Sequence, residues 1–311
     1  MYDAASLSDN PAMQRAVGEL RVDLRTRNGR TVLEGLRQVG CLKARFPRPE
    51  STDWSSVVTL NTSGGIAAGD RLDSVFTLRC GARATIAAQA AERFYRALPG
   101  SQPSHVRTRI VVAGSGAAEW LPQETILFDR CALDRCLDIE LAADARFLGV
   151  ETLVFGRAAM GEIVGQASLR DVIRVRRAGR LLLHDAIRMD GAVNATLQRS
   201  AIAYGARAVA TLVHVAPDAE TALEAVREVL PPHCTPRPLA GEVAARSEAG
   251  AAAASQALLH SGSDVQCGVS AWDGMLIARI LAPGSAALRT TVTDVLRVLR
   301  AGRALPRVWN C

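Results

Sequence analysis

The sequence predicts a mostly β protein, an antiparallel many-stranded sheet structure with two helices in its C-terminal half. Three observations carry this reading. Apolar and charged residues alternate at period two over several short segments, short turn signals separate those segments, and helical spacing occurs in two late stretches.

In chain order, Leu20, Val22 and Leu24 interleave with Arg21, Asp23 and Arg25, which predicts a strand with one dry and one wet face. Asn28-Gly29 follows as a hairpin dipeptide, because both residues tolerate the positive φ of a tight hairpin. Val106, Thr108, Ile110 and Val112 alternate with Arg107 and Arg109. The same pattern sets Leu137, Ile139 and Leu141 against Asp138 and Glu140, then Ile173 and Val175 against Arg174 and Arg176. Gly100, Gly114-Ser115-Gly116 and Ala178-Gly179 supply further turns. The rhythm then changes. Asp218 is placed to cap a helix from Ala219 to Leu230, with Leu223, Val226 and Leu230 on one stripe and Pro231-Pro232 as its stop. Ser285 is placed to cap a second helix through Arg300. There Leu288, Val292, Val295, Leu296 and Leu299 recur at helical spacing ahead of Gly302. The alanine-rich stretch 240–255 suits helix or loop equally. No internal repeat or linker divides the chain, so a single domain over 1–311 is expected, with 1–13 disordered.

At 311 residues and 49% hydrophobic content the chain can bury a sizeable core. No apolar run reaches the roughly 18 residues that a membrane span needs. Met1 to Asn10 lacks the basic region and apolar core of a secretory signal, so a cytoplasmic location is expected. Seven scattered cysteines, an odd number, fit that compartment, with most of them expected as reduced thiols that behave as small hydrophobes. The net charge of +6 is carried almost wholly by arginine, since Lys43 is the one lysine. These arginines form no basic cluster and mostly alternate with apolar residues, the pattern of a solvated strand face. Nucleic-acid binding is therefore disfavoured, and the planar guanidinium suits carboxylates of a protein partner better.

The search for chemistry yields little that is catalytic. Gly-x-Ser-x-Gly does not occur, and His105, His184, His214, His233 and His260 show no metalloprotease spacing, so no motif marks an enzyme. Cys131 and Cys136 lack a second pair at zinc-ribbon spacing. His233-Cys234, among Pro231, Pro232 and Pro236, offers two borderline-soft ligands, too few to close a site. The run from Leu60 to Asp70 holds Gly64, Gly65 and Gly69 yet is neither a P-loop nor a dinucleotide fingerprint. From spacing alone it reads as a tight turn between strands. Asp70, Asp129 and Glu162 each stand beside small or apolar residues, where a carboxylate tends to be part-buried and needs a partner. That partner is an arginine (Arg71, Arg130, Arg157), backbone amides or a cation, and the sequence alone leaves these open.

Read together, several segments point further. The glycine loop is followed in order by Ala91-Glu92-Arg93-Phe94-Tyr95-Arg96, Trp120-Leu121-Pro122-Gln123-Glu124-Thr125-Ile126-Leu127-Phe128-Asp129 and Gly156-Arg157-Ala158-Ala159-Met160-Gly161-Glu162. Then come Gly179-Arg180-Leu181-Leu182-Leu183-His184-Asp185, Ser270-Ala271-Trp272-Asp273-Gly274 and the ending Leu305-Pro306-Arg307-Val308-Trp309-Asn310-Cys311. From about Gln14 onwards the chain resembles the urease accessory protein family UreD, called UreH in some bacteria. Ser63 departs from the alanine common there, and Ala67-Ala68 from a further glycine.

The resemblance implies a β-superhelical body with two C-terminal helices. It also implies a maturation factor rather than an enzyme: a scaffold that binds UreF, the GTPase UreG and apo-urease subunits as a hetero-oligomer. Such a scaffold helps deliver Ni²⁺ to the urease active site through an internal path, with nickel as transient cargo and no tightly bound cofactor, nucleic acid or membrane. A conduit wants few, labile oxygen ligands so that the ion passes. Asp70, Asp129 and Glu162 are the acids expected along the path, with Thr62, Ser63, Gly64 and Gly65 near its wall. Leu296, Leu299, Val308 and Trp309 are expected to meet UreF, because an apolar helix stripe followed by an apolar tail suits a groove. The alternative from the strand pattern is a stand-alone β-sandwich that binds a small ligand or carbohydrate, although 4% aromatic content offers little stacking surface.

Overall fold

A computed structural model describes residues 14–48, 54–231 and 265–310. His233-Cys234, the stretch 240–255, the first 13 residues and Cys311 lie outside the described residues.

Alternation does here what the sequence requires of it. Leu20, Val22 and Leu24 are buried while Arg21 and Arg25 are exposed, and the same holds at Ile110, Val112, Ile139 and Val175. The strands are β1 (Val17–Arg27), β2 (Arg30–Gly40), β3 (Leu42–Arg45), β4 (Ser55–Asn61), β5 (Arg71–Leu78) and β6 (Arg83–Ala88). They continue as β7 (Glu92–Phe94), β8 (Ser104–Val112), β9 (Ala117–Leu121), β10 (Thr125–Leu127), β11 (Ala132–Leu141) and β12 (Arg146–Phe155). The last are β13 (Ala167–Arg177), β14 (Arg180–Gly191), β15 (Ala208–Val215), β16 (Gln266–Trp272) and β17 (Met275–Ala282).

The pairing corrects the expected antiparallel sheet, because both sheets are mixed. A seven-stranded sheet runs β14-β13-β11-β8-β5-β1-β2, and its five central strands are all parallel. A ten-stranded sheet runs β16-β17-β15-β12-β9-β6-β4-β3, with β10 and β7 attached beside β12. Its β4, β6, β9 and β12 are parallel, and antiparallel strands complete it at both ends. The chain alternates between the sheets: the crossover from β8 to β11 is made by β9 and β10 of the facing sheet, not by a helix. Successive parallel strands thus wind through the two sheets in turn, a superhelical path.

Turn chemistry follows the sequence. Asn28-Gly29, Ala178-Gly179 and Asp273-Gly274 all have positive φ at both residues and close the hairpins β1–β2, β13–β14 and β16–β17. On the outer face of the seven-stranded sheet the arginines pair across strands. Arg107 and Arg170 meet Asp134 at 2.7 and 2.9 Å, Arg109 meets Glu140 at 2.8 Å, and Arg174 meets Asp138 at 2.6 Å.

Among the described residues the α-helices are α1 (Val193–Leu197), α2 (Leu223–Val229) and α3 (Ser285–Leu299), the first unforeseen. Two expected caps do not form. Asp218 precedes a short 3-10 turn and binds Arg146 at 2.7 Å, while α3 starts after the extended Gly284 with no side-chain cap. The stripe of α3 behaves as predicted. Leu288, Val292, Val295 and Leu296 are buried in a second core that packs on the outer face of the ten-stranded sheet.

The chain end is tied into that second core. Trp309 is buried and donates Nε1–H to the Leu121 carbonyl at 3.0 Å. Leu296 and Trp309, expected to meet a partner, are thus spent on the chain's own interior, and Leu299 and Val308 pack against the same cluster. Just past α3, Arg300 reaches Glu119 of β9 at 3.0 Å with both side chains almost wholly buried, and Thr85 Oγ1 donates to the same carboxylate at 2.5 Å. Removing one partner of such a pair strands the other charge. Glu119→Ala is expected to destabilise the fold by about 3–5 kcal/mol in denaturant titration, whereas Arg37→Ala, at an exposed pair with Glu19, is expected to change stability by less than about 1 kcal/mol.

Candidate functional site: a chamber between the sheets

Inside the superhelix, period two is broken at chosen places. On β11 the inward positions read Leu133, Arg135, Leu137 and Ile139, and on β13 they read Leu169, Asp171, Ile173 and Val175. The parallel register sets Arg135 directly beside Asp171. Their side chains join bidentately, Nε to Oδ1 at 2.8 Å and Nη2 to Oδ2 at 2.6 Å. From the opposite sheet, Glu151 of β12 approaches the same guanidinium at 2.7 Å and accepts the Trp120 indole N–H at 2.7 Å. Arg135 also donates to Thr125 Oγ1 at 2.8 Å.

Every charge in this group is buried, so each must be matched. Burial disfavours the Arg135 cation, but the carboxylates of Asp171 and Glu151 outweigh it and raise its pKa further. Burial pushes the Glu151 carboxyl above its usual range and Asp171 adds repulsion, with Arg135 and Trp120 opposing. Nearby, Glu92 of β7 accepts the Asn61 side-chain amide at 3.2 Å, and burial raises its pKa too, against the pull of Asn61.

These groups face a cavity of about 260 Å³, lined among others by Asn61, Ser74, Glu92, Thr108, Trp120, Thr125, Arg135 and Glu151. Its wall contains a break in the ten-stranded sheet. β12 pairs with β9 over Arg146–Gly149 but with β10 over Leu153–Phe155. Residues 122–124, and 89–91 between β6 and β7, leave the sheet there, and Gln89, Ala90, Pro122 and Gln123 line the chamber. The chain end fixes this margin. Gln123 donates to the Val308 carbonyl at 2.5 Å and accepts from Arg289, which also holds Glu124 and stacks on Trp309.

The glycine loop forms another part of the wall. Gly64 and Gly65 line the cavity, whereas Thr62 and Ser63 do not: Thr62 bonds Cys41, and Ser63 bonds Asn61 and Gly65. Gly65 has φ +142° and lies so close to the Tyr95 ring that a Cβ would collide with it. Tyr95 in turn donates to the Gly64 carbonyl at 2.7 Å.

None of the three acids singled out from the sequence lines the chamber. Asp70 is buried and accepts the backbone N–H groups of Ala16 and Ala67, both at 2.8 Å. Asp129 accepts the Gln166 N–H at 3.0 Å and stands 3.6 Å from Arg130. Glu162 holds Arg157 at 2.7 Å and accepts the Asp129 N–H at 3.3 Å; burial raises its carboxyl, but Arg157 outweighs this and holds it below the usual range. The residues that reasoning missed are Glu92, Arg135, Glu151 and Asp171. Three of them carried a signal, Arg135 and Asp171 as charges at inward positions of alternating strands and Glu151 as one acid inside the apolar run 147–155, while Glu92 on a three-residue strand carried none. Among the described residues no group of three His, Cys, Asp or Glu side chains could hold a metal ion.

Comparison with known proteins bears on what such a chamber serves. A family model described as UreD urease accessory protein matches residues 16–310. A urease accessory protein UreD of Dinoroseobacter shibae is 40% identical over 302 residues, covering 97% of this chain and 94% of the relative. One from a Methylobacterium strain is 41% identical over 301 residues, covering 96% of each chain. A third, from Xanthobacter autotrophicus, is 39% identical over 305 residues, covering 98% of this chain and 93% of its own.

Because burial raises the Glu92 pKa, the folded state holds that proton at pH values where the unfolded chain has lost it. Stability therefore falls as pH rises from the ordinary glutamate range through the raised folded value. Glu92→Gln removes this penalty. The variant is expected to melt above the unmodified protein at neutral to alkaline pH, with the gap closing in acid; a gap that widens in acid overturns the assignment.

Proposed function

This chain belongs to the UreD urease accessory protein family, which gives it a role in urease maturation, and from that premise we propose that it is a scaffold whose interior chamber passes Ni²⁺ towards immature urease. It docks UreF, the GTPase UreG and apo-urease subunits in a hetero-oligomer and contributes position and electrostatics rather than a catalytic group. The observation that carries the proposal is the chamber itself, a cavity of about 260 Å³ that Glu92 and Glu151 line with oxygen donors. Thr125, Asn61, Thr108 and Ser74 add neutral oxygens to the same wall.

The chemistry suits passage over storage. Hard oxygen donors bind Ni²⁺ more weakly than a thiolate or imidazole cage does, and they exchange with water. Arg135 occupies Asp171 fully and holds one oxygen of Glu151. It therefore cancels much of the acid charge that would otherwise trap a divalent ion. Nickel is cargo, with no tightly bound cofactor. In this proposal Asp70, Asp129 and Glu162 shape the loops around the path, and the acids that meet the ion are Glu92 and Glu151. The stand-alone sugar- or ligand-binding reading explains the strands but not the family membership.

Glu92→Ala and Glu151→Gln, each co-expressed with urease and its other accessory proteins, test the path. Nickel per urease active site is expected to fall several-fold while the accessory complex still co-purifies, and Asp129→Asn is expected to leave nickel content near normal. Full nickel loading in both chamber variants, with intact complexes, overturns the chamber as the path.

A further inference from the structure

The two ends of the superhelix differ. Parallel winding brings the loops that enter β5, β8, β11 and β13 to one end, together with the connection from β14 to β15. Hydrogen bonds stitch them side by side. The Tyr95 N–H donates to the Ile66 carbonyl, Ala97 to Arg130, and Arg130 to Gln166, all at 2.7–2.8 Å, and the Arg207 side chain donates to the Glu162 carbonyl. This end displays Leu98, Met160, Ile163 and Ile202 at 55%, 73%, 56% and 42% exposure. At the opposite end the turns 79–82, 113–116 and 142–145 carry no exposed large apolar side chain, and exposed Leu181 and Trp272 lie beside the last two hairpin turns.

Met160 and Ile163 sit on a knuckle that cannot collapse to hide them. Residues 158–160 form a 3-10 turn ended by the left-handed Gly161. Glu162 clamps its base through Arg157 and the Asp129 N–H. Arg157 lies over the Phe128 ring at 4.2 Å, and Phe128 meets Tyr95 edge-on at 5.2 Å. Acids that looked like ion ligands in the sequence thus rigidify an exposed apolar tip. A preformed tip loses little freedom on binding, and methionine adapts to many surfaces.

Basic side chains predominate around the tip, although Asp190 at the end of β14 is also exposed there and Arg130 stands 3.6 Å from Asp129. Arg96, Arg130 and Arg199 are exposed on these loops, and the acids of those loops, Asp70, Asp129 and Glu162, are already engaged by the chain's own amides or guanidinium groups. We propose that this end of the superhelix is a docking face for a protein partner whose contact surface is apolar at its centre and ringed by carboxylates. The inference rests on the scaffold reading above and adds to it the face and the chemistry of the partner. A protein fits better than an anionic membrane, because the exposed apolar anchors are aliphatic and held by a rigid frame, without the aromatic belt and lysines of a membrane-facing loop.

The test uses the full chain, with purified UreF and apo-urease as separate binding probes and phosphatidylserine vesicles as a third. Met160→Glu with Ile163→Glu, and separately Leu98→Asp, place acid on exposed positions and are expected to leave the melting temperature nearly unchanged. Each is expected to weaken binding to one protein probe roughly tenfold or more, the scale of losing an interface anchor, and that binding is expected to weaken with added salt. Unchanged affinity for both protein probes overturns the docking face and leaves the scaffold reading standing. Failure of the unmodified chain to bind either protein overturns both, and binding to the vesicles that these variants abolish, with protein binding intact, overturns the choice of partner.

Discussion

A guanidinium enclosed between two sheets governs the interior of this protein. Arg135 cannot shed its proton, so the fold must surround it with acceptors, and it does so with Asp171 from the neighbouring strand and Glu151 from the facing sheet. That arrangement fixes more than charge. A one-residue slip between β11 and β13 would turn the partners to opposite faces and leave a buried cation alone. The cluster therefore pins the register of the parallel strands as well as the polarity of the chamber, and hydrophobic burial on either side makes the alternative registers worse still.

The break in the ten-stranded sheet follows from the same economy. Closing the gap between β9 and β10 would extend the ladder but seal the chamber. Instead residues 122–124 leave the sheet, and their polar groups find partners elsewhere: Gln123 and Glu124 on Arg289, and Gln123 on the Val308 carbonyl. The end of the chain thus replaces hydrogen bonds that a continuous sheet would have supplied. This gives the apolar tail a structural task inside the protein and explains why Trp309 is buried.

Much of the fold was legible in the sequence, and the limits are physical. Alternation at Leu20–Arg25 or Ile173–Arg176 states which face is dry, but nothing in it states which strand lies alongside. Turn chemistry is equally silent: Ala178-Gly179 closes a hairpin, whereas Gly114-Ser115-Gly116 turns the chain from one sheet to the other. Parallel pairing through a facing sheet was therefore hidden. Asp218 and Ser285 look like caps, yet Arg146 claims Asp218, and the second helix begins after the extended Gly284 with no side-chain cap. In the site, the acids flanked by small residues are the ones that hold loops together. The chamber's charges were written instead as violations of the strand pattern, with Arg135 and Asp171 each replacing an apolar residue and Glu151 interrupting an apolar run.

The two kinds of acid in this molecule explain each other. A carboxylate that accepts a backbone amide on each oxygen, as Asp70 does, stabilises one loop conformation and is held in place by it. A carboxylate raised in pKa by burial, as at Glu92 and Glu151, is held at a cost in stability. Folding alone favours the first kind and selects against the second. Glu92, which gains only an amide from Asn61 and a weak backbone contact at Arg93, is poorly explained by folding. Its place beside a cavity of about 260 Å³ is accounted for by the passage proposed above, because a part-neutralised oxygen wall holds a divalent cation loosely.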